Sequence, residues 1–174
     1  MNPSHRLRTA LSTAAIVAVG AAGASASSVH SAAVKITPSG VGGVKIGKTY
    51  TALRQQRLIG KIQHGCELGG SNTRSAKLKS PLKGGVNFTL HSPRKVTDIL
   101  INGGATARGV GNGATIAQIK SAFPKAKVDH STDSTFLITL VRIPKTGGGK
   151  LEFGVSTKTK RVVTIGVPFI AFCD

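Results

Sequence analysis

The sequence predicts an α+β fold in which a twisted antiparallel sheet carries two short helices on one face. Three observations predict it. A segment repeats along the chain, each copy opens with a helix signature, and strands with alternating apolar and polar residues follow each helix. We expect a single α+β domain over residues 35–174, built from two related helix-then-strands units at about 40–101 and 106–168.

The repeat is visible at a nearly constant offset. Its opening segment reads G-V-x-x-G-x-T-φ-x-x-φ in both copies, where φ is an apolar residue. Agreement at separate places argues against coincidence, and one single-residue insertion or deletion accounts for the change of offset between them. The matched segments are 43–53 with 109–119, 86–90 with 151–155, and 95–101 with 161–167.

Each predicted helix begins at a threonine. The hydroxyls of Thr49 and Thr115 can accept hydrogen bonds from the free N–H groups of the first turn. A glycine two residues earlier permits the chain to reverse. We expect the first helix to stop at Gly60 and the second before Pro124. The expected apolar faces are Tyr50, Leu53 and Leu58 in the first helix, and Ile116, Ile119 and Phe123 in the second.

Strands are predicted after each helix. Residues 86–90 and 151–155 alternate apolar with polar or small residues, which is typical of half-buried antiparallel strands. Residues 136–141 are apolar almost throughout, so we expect a central strand covered on both faces. Turn-forming residues separate the strands at 91–94, 144–149 and 156–160.

The first 26 residues have the order of a secretion signal. Basic side chains precede an apolar run over residues 10–24, which closes on Ala-Ser-Ala. The rival interpretation, a membrane anchor, needs about 20 strongly apolar residues, and this run is short and rich in Ala and Gly. We predict cleavage after Ala26, a secreted chain with a flexible leader over 27–34, and no transmembrane segment in the mature protein.

The charge is strongly positive. The chain has 24 Lys and Arg, six Asp and Glu, and a net charge of +18; the predicted signal, residues 1–26, holds two Arg and no acid, so +16 remains after cleavage. Such a field attracts anions, which outside a cell include wall polymers, lipid headgroups, acidic polysaccharides and stray nucleic acid. Nucleic acid is the least favoured, because the core needs Phe88, Phe123, Phe136 and Phe153 and leaves few rings for base stacking.

The two cysteines, Cys66 and Cys173, lie far apart in the sequence. An oxidising exterior favours pairing them in a disulfide, which adds an upper limit of about 4–5 kcal/mol by the chain-entropy model. His64 stands two residues before Cys66 and raises the alternative of a metal site. Two ligands are too few for a closed zinc site, so the disulfide is favoured over metal or a reactive thiol.

The glycine-rich residues 109–113 (Gly-Val-Gly-Asn-Gly) precede the second helix, as phosphate-binding loops do. The spacing fits neither the dinucleotide fingerprint nor a P-loop, and the first copy keeps only Gly43 and Gly47. We therefore interpret the segment as a structural turn.

Asp129, His130 and Asp133 form the clearest cluster of His and carboxylate residues. Such groups can bind a metal or act as a general base. They also stand in a polar stretch where a loop joins helix to strand, and the solvated-loop interpretation is favoured. We predict no catalytic residue, no metal and no cofactor.

The remaining candidates are basic. If clustered Lys and Arg share a face, they form an anion-binding surface; scattered over the outside, they are screened within about 8–10 Å and act weakly. The candidate anion-binding residues are Arg54, Arg57, Lys61, Lys77, Lys79, Lys83, Lys158, Lys160 and Arg161.

Residues 36–49 (ITPSGVGGVKIGKT), followed by Leu53 and Gly60, resemble the opening of small exported proteins of unknown function from Gram-positive bacteria with GC-rich genomes. More loosely, the duplicated units resemble secreted β-lactamase-inhibitory proteins and small lipoproteins of outer-membrane assembly. The resemblance implies a binding or inhibitory module without catalytic residues. The chain departs from these groups because it has no lipid-acceptor Cys near the cut, no Trp and a single Tyr.

The sequence thus predicts a secreted, non-enzymatic binding module for an anionic partner, either an envelope polymer or an acidic secreted protein. Two other functions remain open. An inhibitor of a secreted enzyme predicts a concave sheet face with exposed apolar or Tyr residues. A small hydrolase or metal enzyme predicts a site at His130, Asp129 and Asp133. The oligomeric state stays open.

Overall fold

The computed structural model describes residues 33–65, 73–146 and 149–172. Most of the predicted leader, Cys66 and Cys173 lie outside this range, so the expected disulfide does too. The helices are α1 (Tyr50–Gln55), α2 (Ile116–Ala122) and α3 (Asp133–Phe136). The strands are β1 (Val34–Thr37), β2 (Gly40–Val41), β3 (Val44–Lys45), β4 (Gln63–His64), β5 (Arg74–Lys77), β6 (Lys83–Phe88), β7 (Val96–Gly103), β8 (Ala105–Thr106), β9 (Lys127–Asp129), β10 (Ile138–Thr146), β11 (Gly149–Ser156) and β12 (Val162–Val167).

The main sheet has eight strands in the order β4-β5-β6-β7-β12-β11-β10-β9, and every neighbouring pair is antiparallel. The predicted α+β class, rich in antiparallel sheet, is therefore confirmed. β7 and β12 meet in the middle, where Ile165 pairs with Ile101 and Val167 with Ile99. All four side chains are fully buried, so this pairing forms the centre of the core.

A second, smaller sheet was not predicted. Its order is β3-β2-β1-β8, and β1 runs parallel to β8, with Val34 opposite Ala105. β1 begins at Val34, the last residue assigned to the leader. Strands of two residues are too short for alternation to reveal them, and nothing local indicates the distant partner of β1.

Both threonine caps are confirmed. The Thr49 oxygen accepts from the Ala52 N–H, and Thr115 forms a reciprocal capping box with Gln118. The expected end of the first helix at Gly60 is wrong. α1 stops at Gln55, and Arg57 takes a φ of +55°, so a basic residue rather than a glycine reverses the chain.

Both helices pack on one face of the main sheet. The Tyr50 ring in α1 meets Phe88 edge-on at 5.6 Å between ring centroids, and Phe123 after α2 lies 5.7 Å from Phe153. Ile119 of α2 and Leu53 of α1 are fully buried. The opposite face of the sheet, which includes Asn87, Asp98 and Glu152, is called the open face below.

Two strand predictions need correction. Residues 136–141 do not form a central strand: Phe136 ends α3, Leu137 is 64% exposed in a left-handed conformation, and β10 is second from the sheet edge. Within this stretch, only residues Thr139 to Val141 are buried on both faces of the sheet. Leu90 does not continue the apolar face of β6, because it lies beyond the strand and is 45% exposed.

The chain after β12 folds back over the open face. The Ile170 N–H donates to Glu152 Oε2 at 3.0 Å, and the Phe172 ring stacks on Phe136 at 4.2 Å. Gly166 makes the crossing possible, because a Cβ there would lie 2.3 Å from the Phe169 carbonyl oxygen. This C-terminal segment explains why β11 is buried on both faces, where only one buried face was expected.

Substitutions at Gly104 and Gly109 distinguish the cost of a steric clash from the cost of backbone strain. Both have a φ of +80°, but a Cβ on Gly104 would lie 2.1 Å from the Pro81 carbonyl oxygen, whereas one on Gly109 would meet nothing within 4 Å. We expect Gly109→Ala to lower the free energy of unfolding by about 1 kcal/mol and Gly104→Ala by about 2–4 kcal/mol. Urea denaturation measures both, and equal losses would contradict the prediction.

Candidate basic interface

Two hairpin turns lie at the same end of the main sheet. β6 begins at Lys83, opposite Gly103, where β7 ends. On the other side of β7, Ile165 pairs with Ile101 in antiparallel sense, so β12 also begins near the end of β7. The β5–β6 and β11–β12 turns therefore lie on either side of the end of β7.

The topology brings the predicted basic residues to this end. Residues 77–83 supply three lysines from the β5–β6 turn, and residues 158–161 supply three cations from the β11–β12 turn. The Gly60 N–H donates to the Lys77 carbonyl, which places Lys61 beside them. We call this surface the basic end; it comprises Arg54, Arg57, Lys61, Lys77, Lys79, Lys83, Lys158, Lys160 and Arg161.

Helix α1 directs its arginines toward the same end. The Lys79 N–H donates to the Leu58 carbonyl, so the chain leaving α1 lies against the β5–β6 turn. Arg54 Nη1 donates to the Ile59 carbonyl at 3.0 Å and is only partly exposed, whereas Arg57 is exposed. Arg161 Nη1 similarly donates to the Gly113 carbonyl at 3.0 Å. Two of the nine cations therefore also hold the backbone in place.

The nine residues of the basic end form no direct ion pair with a carboxylate in the described residues, although Asp133 lies near enough to Lys160 for that charge to help lower the pKa of its carboxyl. Within residues 33–65, 73–146 and 149–172, the ion pairs involve Arg142 and His130, and none of the nine basic residues takes part. Other exposed lysines, including Lys95, Lys127 and Lys150, lie at the opposite end of the sheet. The structure thus groups the predicted residues and separates them from a second basic region.

The Asp129, His130 and Asp133 cluster does not converge on one point. His130 Nδ1 lies 2.8 Å from Asp133 Oδ2, which lowers the pKa of the Asp133 carboxyl. Asp129 turns away: one oxygen accepts from the Ser131 N–H, which lowers its pKa, and the other pairs with Arg142. Among the described residues, no group of three or more His, Cys, Asp and Glu is placed to hold a metal ion.

The expected loop over 129–135 is partly regular structure. Asp129 ends β9 and Asp133 begins α3, the helix that the sequence did not predict. Four residues are too few to show a helical period, and the polar residues read equally well as a loop.

Sequence reasoning also missed a carboxylate network on the open face. Arg142 bridges Asp129 and Glu152, and Glu152 in turn accepts from the Ile170 N–H. The network holds the C-terminal segment against the sheet. Alternation in β11 gave a signal for the side on which Glu152 lies, but nothing in the sequence paired it with Arg142.

The glycine-rich segment 109–113 forms a turn, in agreement with its interpretation. The Val110 N–H donates to the Ala107 carbonyl and the Gly113 N–H to Val162. The Asn112 side chain donates to the Val163 carbonyl at 2.6 Å. These donors are engaged within the protein and do not converge as the N–H groups of a phosphate-binding loop do.

Asp98 is a buried carboxylate on the open face, 4% exposed. Asn87 Nδ2 donates to one oxygen at 2.8 Å and the Thr97 hydroxyl to the other at 2.9 Å. Burial raises the pKa of Asp98, and these two hydrogen bonds only partly oppose the effect.

No helix in the described part of the chain is long and apolar enough to cross a membrane. Comparison with protein-family models finds no match, and comparisons with curated proteins and with solved structures find none either.

Asp98→Asn tests the buried carboxylate. Because the pKa in the folded state exceeds its usual 3.8, the stabilising contribution of protonated Asp98 is lost as the pH rises through the raised value. Asn removes the charge and can still accept from Asn87. We expect the melting temperature of the variant, relative to the wild type, to be higher at about pH 7 than at about pH 3.

Asp133→Asn is the control of opposite sign. The pKa of Asp133 is lowered, so its contribution is present above 3.8 and lost as the pH falls through the lowered value. We expect the melting temperature of this variant, relative to that of the wild type, to be lower at about pH 7 than at about pH 3. The same trend in both variants would contradict the assignment for Asp98.

Proposed function

We propose that the protein is an exported, non-enzymatic binding module that holds an anionic polymer of the cell envelope through its basic end. One observation carries the proposal: residues 54–61, 77–83 and 158–161, distant in sequence, meet at one end of the sheet. Several cations grouped on neighbouring hairpins suit a chain of repeated negative charges better than a single small anion.

The placement of the acids supports the proposal. The four carboxylates in the described ranges serve inside the molecule: Asp98 is buried, Asp133 bonds to His130, and Asp129 and Glu152 bind Arg142. None of them pairs with a cation of the basic end. Apart from Lys160, whose charge also acts on the Asp133 carboxyl, the positive charge of the basic end therefore remains available to a partner.

Export over residues 1–26, with cleavage after Ala26 and a Cys66–Cys173 disulfide, belongs to the same proposal. It rests on the order of basic, apolar and small residues at the N-terminus and on the two cysteines. Export would bring the basic end to wall polymers rather than to intracellular nucleic acid.

We also propose that residues 40–101 and 106–168 are two related units, and equivalent hydrogen bonds support this. The Gly47 N–H donates to the Val96 carbonyl, and the Val96 N–H donates to Lys48. Displaced by 66 residues, the same pair recurs: Gly113 donates to Val162, and Val162 donates to Ala114. The sheet order places β4 to β7 and β12 to β9 symmetrically about its centre.

The alternative functions have less support. An inhibitor would use apolar or Tyr side chains on the open sheet face. Tyr50 instead packs on Phe88 on the side of the sheet that the helices cover. Its hydroxyl accepts from the Ile62 N–H at 3.2 Å. A hydrolase or metal enzyme would need Asp129 to join His130 and Asp133, and Asp129 instead binds Arg142. We therefore favour binding of a polyanion.

Binding to isolated cell walls tests the proposal. We expect the protein to sediment with walls at low salt and to be released as salt rises. Replacing Lys77, Lys79 and Lys83 by Gln should weaken binding and lower the slope of log affinity against log salt by about 2, if each contact releases about 0.7 counterions as it does on single-stranded nucleic acid. Absence of wall binding, or binding indifferent to salt, contradicts the proposal.

The matched control replaces Lys95, Lys127 and Lys150 by Gln. It removes the same charge from exposed positions at the opposite end of the sheet. We expect this variant to keep most of the affinity and of the salt slope. Equal losses in the two variants would show that total charge binds the walls and that the basic end is not the site.

Export and the disulfide are tested by the mass of the protein recovered outside the producing cells. We expect a chain beginning at Ser27, with no thiol that reacts with iodoacetamide under denaturing conditions and a mass reduced by the hydrogens lost on disulfide formation. Recovery of the uncleaved chain inside the cell with two reactive thiols would contradict both expectations.

A further inference from the structure

A cavity of about 640 Å³ lies where the smaller sheet meets the main one. Its β10–β11 side, at the Ile143–Leu151 pair, lies at the end of the main sheet away from the basic end. The cavity is formed by β1 and the chain after it, the loop after β8, the end of α2 and the adjoining parts of β10 and β11. Small-molecule sites in proteins have volumes of about 300–1,000 Å³. The cavity is therefore large enough for a ligand of its own.

The floor of the cavity is apolar. Ile36, Phe123 and Leu151 line it and belong to the buried core, with 3%, 8% and 3% of their surfaces exposed. Half-buried Ile143 extends this floor along β10. Prolines contribute apolar surface without an N–H donor, and those lining the cavity are Pro38, Pro124 and Pro144.

The rim of the cavity carries three cations. Lys35, Arg108 and Lys125 are exposed and line the opening, and none of the carboxylates in the described ranges does so. The Arg108 guanidinium carbon lies 5.1 Å from the centre of the Phe123 ring, and its Nη1 donates to the Ala122 carbonyl at 3.2 Å. These contacts hold one positive charge directly over the apolar floor.

We propose that this cavity binds an amphiphilic anion, a molecule with one apolar chain and a carboxylate or phosphate headgroup. The chain would lie on the floor formed by Ile36, Phe123 and Leu151, and the headgroup would meet the three cations. A neutral apolar ligand would make no ionic contact with the three cations. A polyanion would make no apolar contact with the floor. The site goes beyond the proposed function, since it uses residues outside the basic end.

Titration calorimetry with ligands of one chain length tests the headgroup. Dodecanoate and dodecyl phosphate, below their critical micelle concentrations and at moderate salt, should each bind one saturable site. Dodecyltrimethylammonium and dodecyl glucoside should bind at least about tenfold more weakly, because they lack the charge that Arg108 and the two lysines attract. Preference between carboxylate and phosphate then distinguishes a free fatty acid from a phosphorylated lipid.

Two variants of equal charge test the location. Replacing Lys35, Arg108 and Lys125 by Gln should weaken dodecanoate binding by about tenfold or more. Replacing Lys45, Lys95 and Lys120, which are exposed and do not line the cavity, should change it by less than about twofold. Ile143→Phe should weaken all four ligands by filling the floor, with thermal unfolding as the check on folding.

Equal binding of the neutral and anionic ligands, equal losses in the two charge variants, or binding without saturation would overturn the proposal. The wall-binding experiment distinguishes the cavity from the basic end. Loss of Lys77, Lys79 and Lys83 should leave dodecanoate binding unchanged, and loss of the rim cations should leave wall binding largely intact. Failure of one proposal is therefore distinguishable from failure of the other.

Discussion

The antiparallel pairing of β7 with β12 is the constraint on which the rest of the molecule depends. It joins residues that are 64 to 68 positions apart in the chain, and Ile99, Ile101, Ile165 and Val167 at the junction are fully buried. The other six strands of the main sheet extend outward from this pair, and α1 and α2 pack over the same face. Because the register fixes where each hairpin turns, it also fixes where the cations collect.

The negative and positive side chains of this fold have different roles, which the composition alone does not show. The four described carboxylates are used in internal contacts, so they do little to offset the cations at the surface. The cations then fall into two settings: hairpins that form the basic end, and a rim over an apolar cavity. An anionic polymer and an amphiphilic anion are the partners that we propose for these two settings.

The features that could be predicted from the sequence are those with a local physical cause. Thr49 and Thr115 were identifiable because an N-cap needs a side-chain oxygen beside free N–H groups, and β6 and β11 because alternation marks a buried face. The candidate residues of the basic end were identifiable by type, but their proximity depends on strand order. That order is a property of the whole sheet and has no local signature.

The features that were missed have causes that lie far away in the chain. The positive φ of Arg57 replaced the expected stop at Gly60, because the following residues return to bond with the β5–β6 turn. The second covered face of β11 comes from residues 169–172, and the cavity is formed by five separate segments. Neither leaves a periodic pattern, so Lys35, Arg108 and Lys125 read only as surface charge.

The parallel pairing of β1 with β8 has a consequence for the order in which the chain emerges during synthesis. Val34 and Lys35 find their partners only at Ala105 and Thr106, so β1 waits with one edge unsatisfied until that later stretch has appeared. Ile36, buried in the finished fold, stays in contact with water for the same interval. The N-terminal strand is thus first to arrive and among the last to be secured.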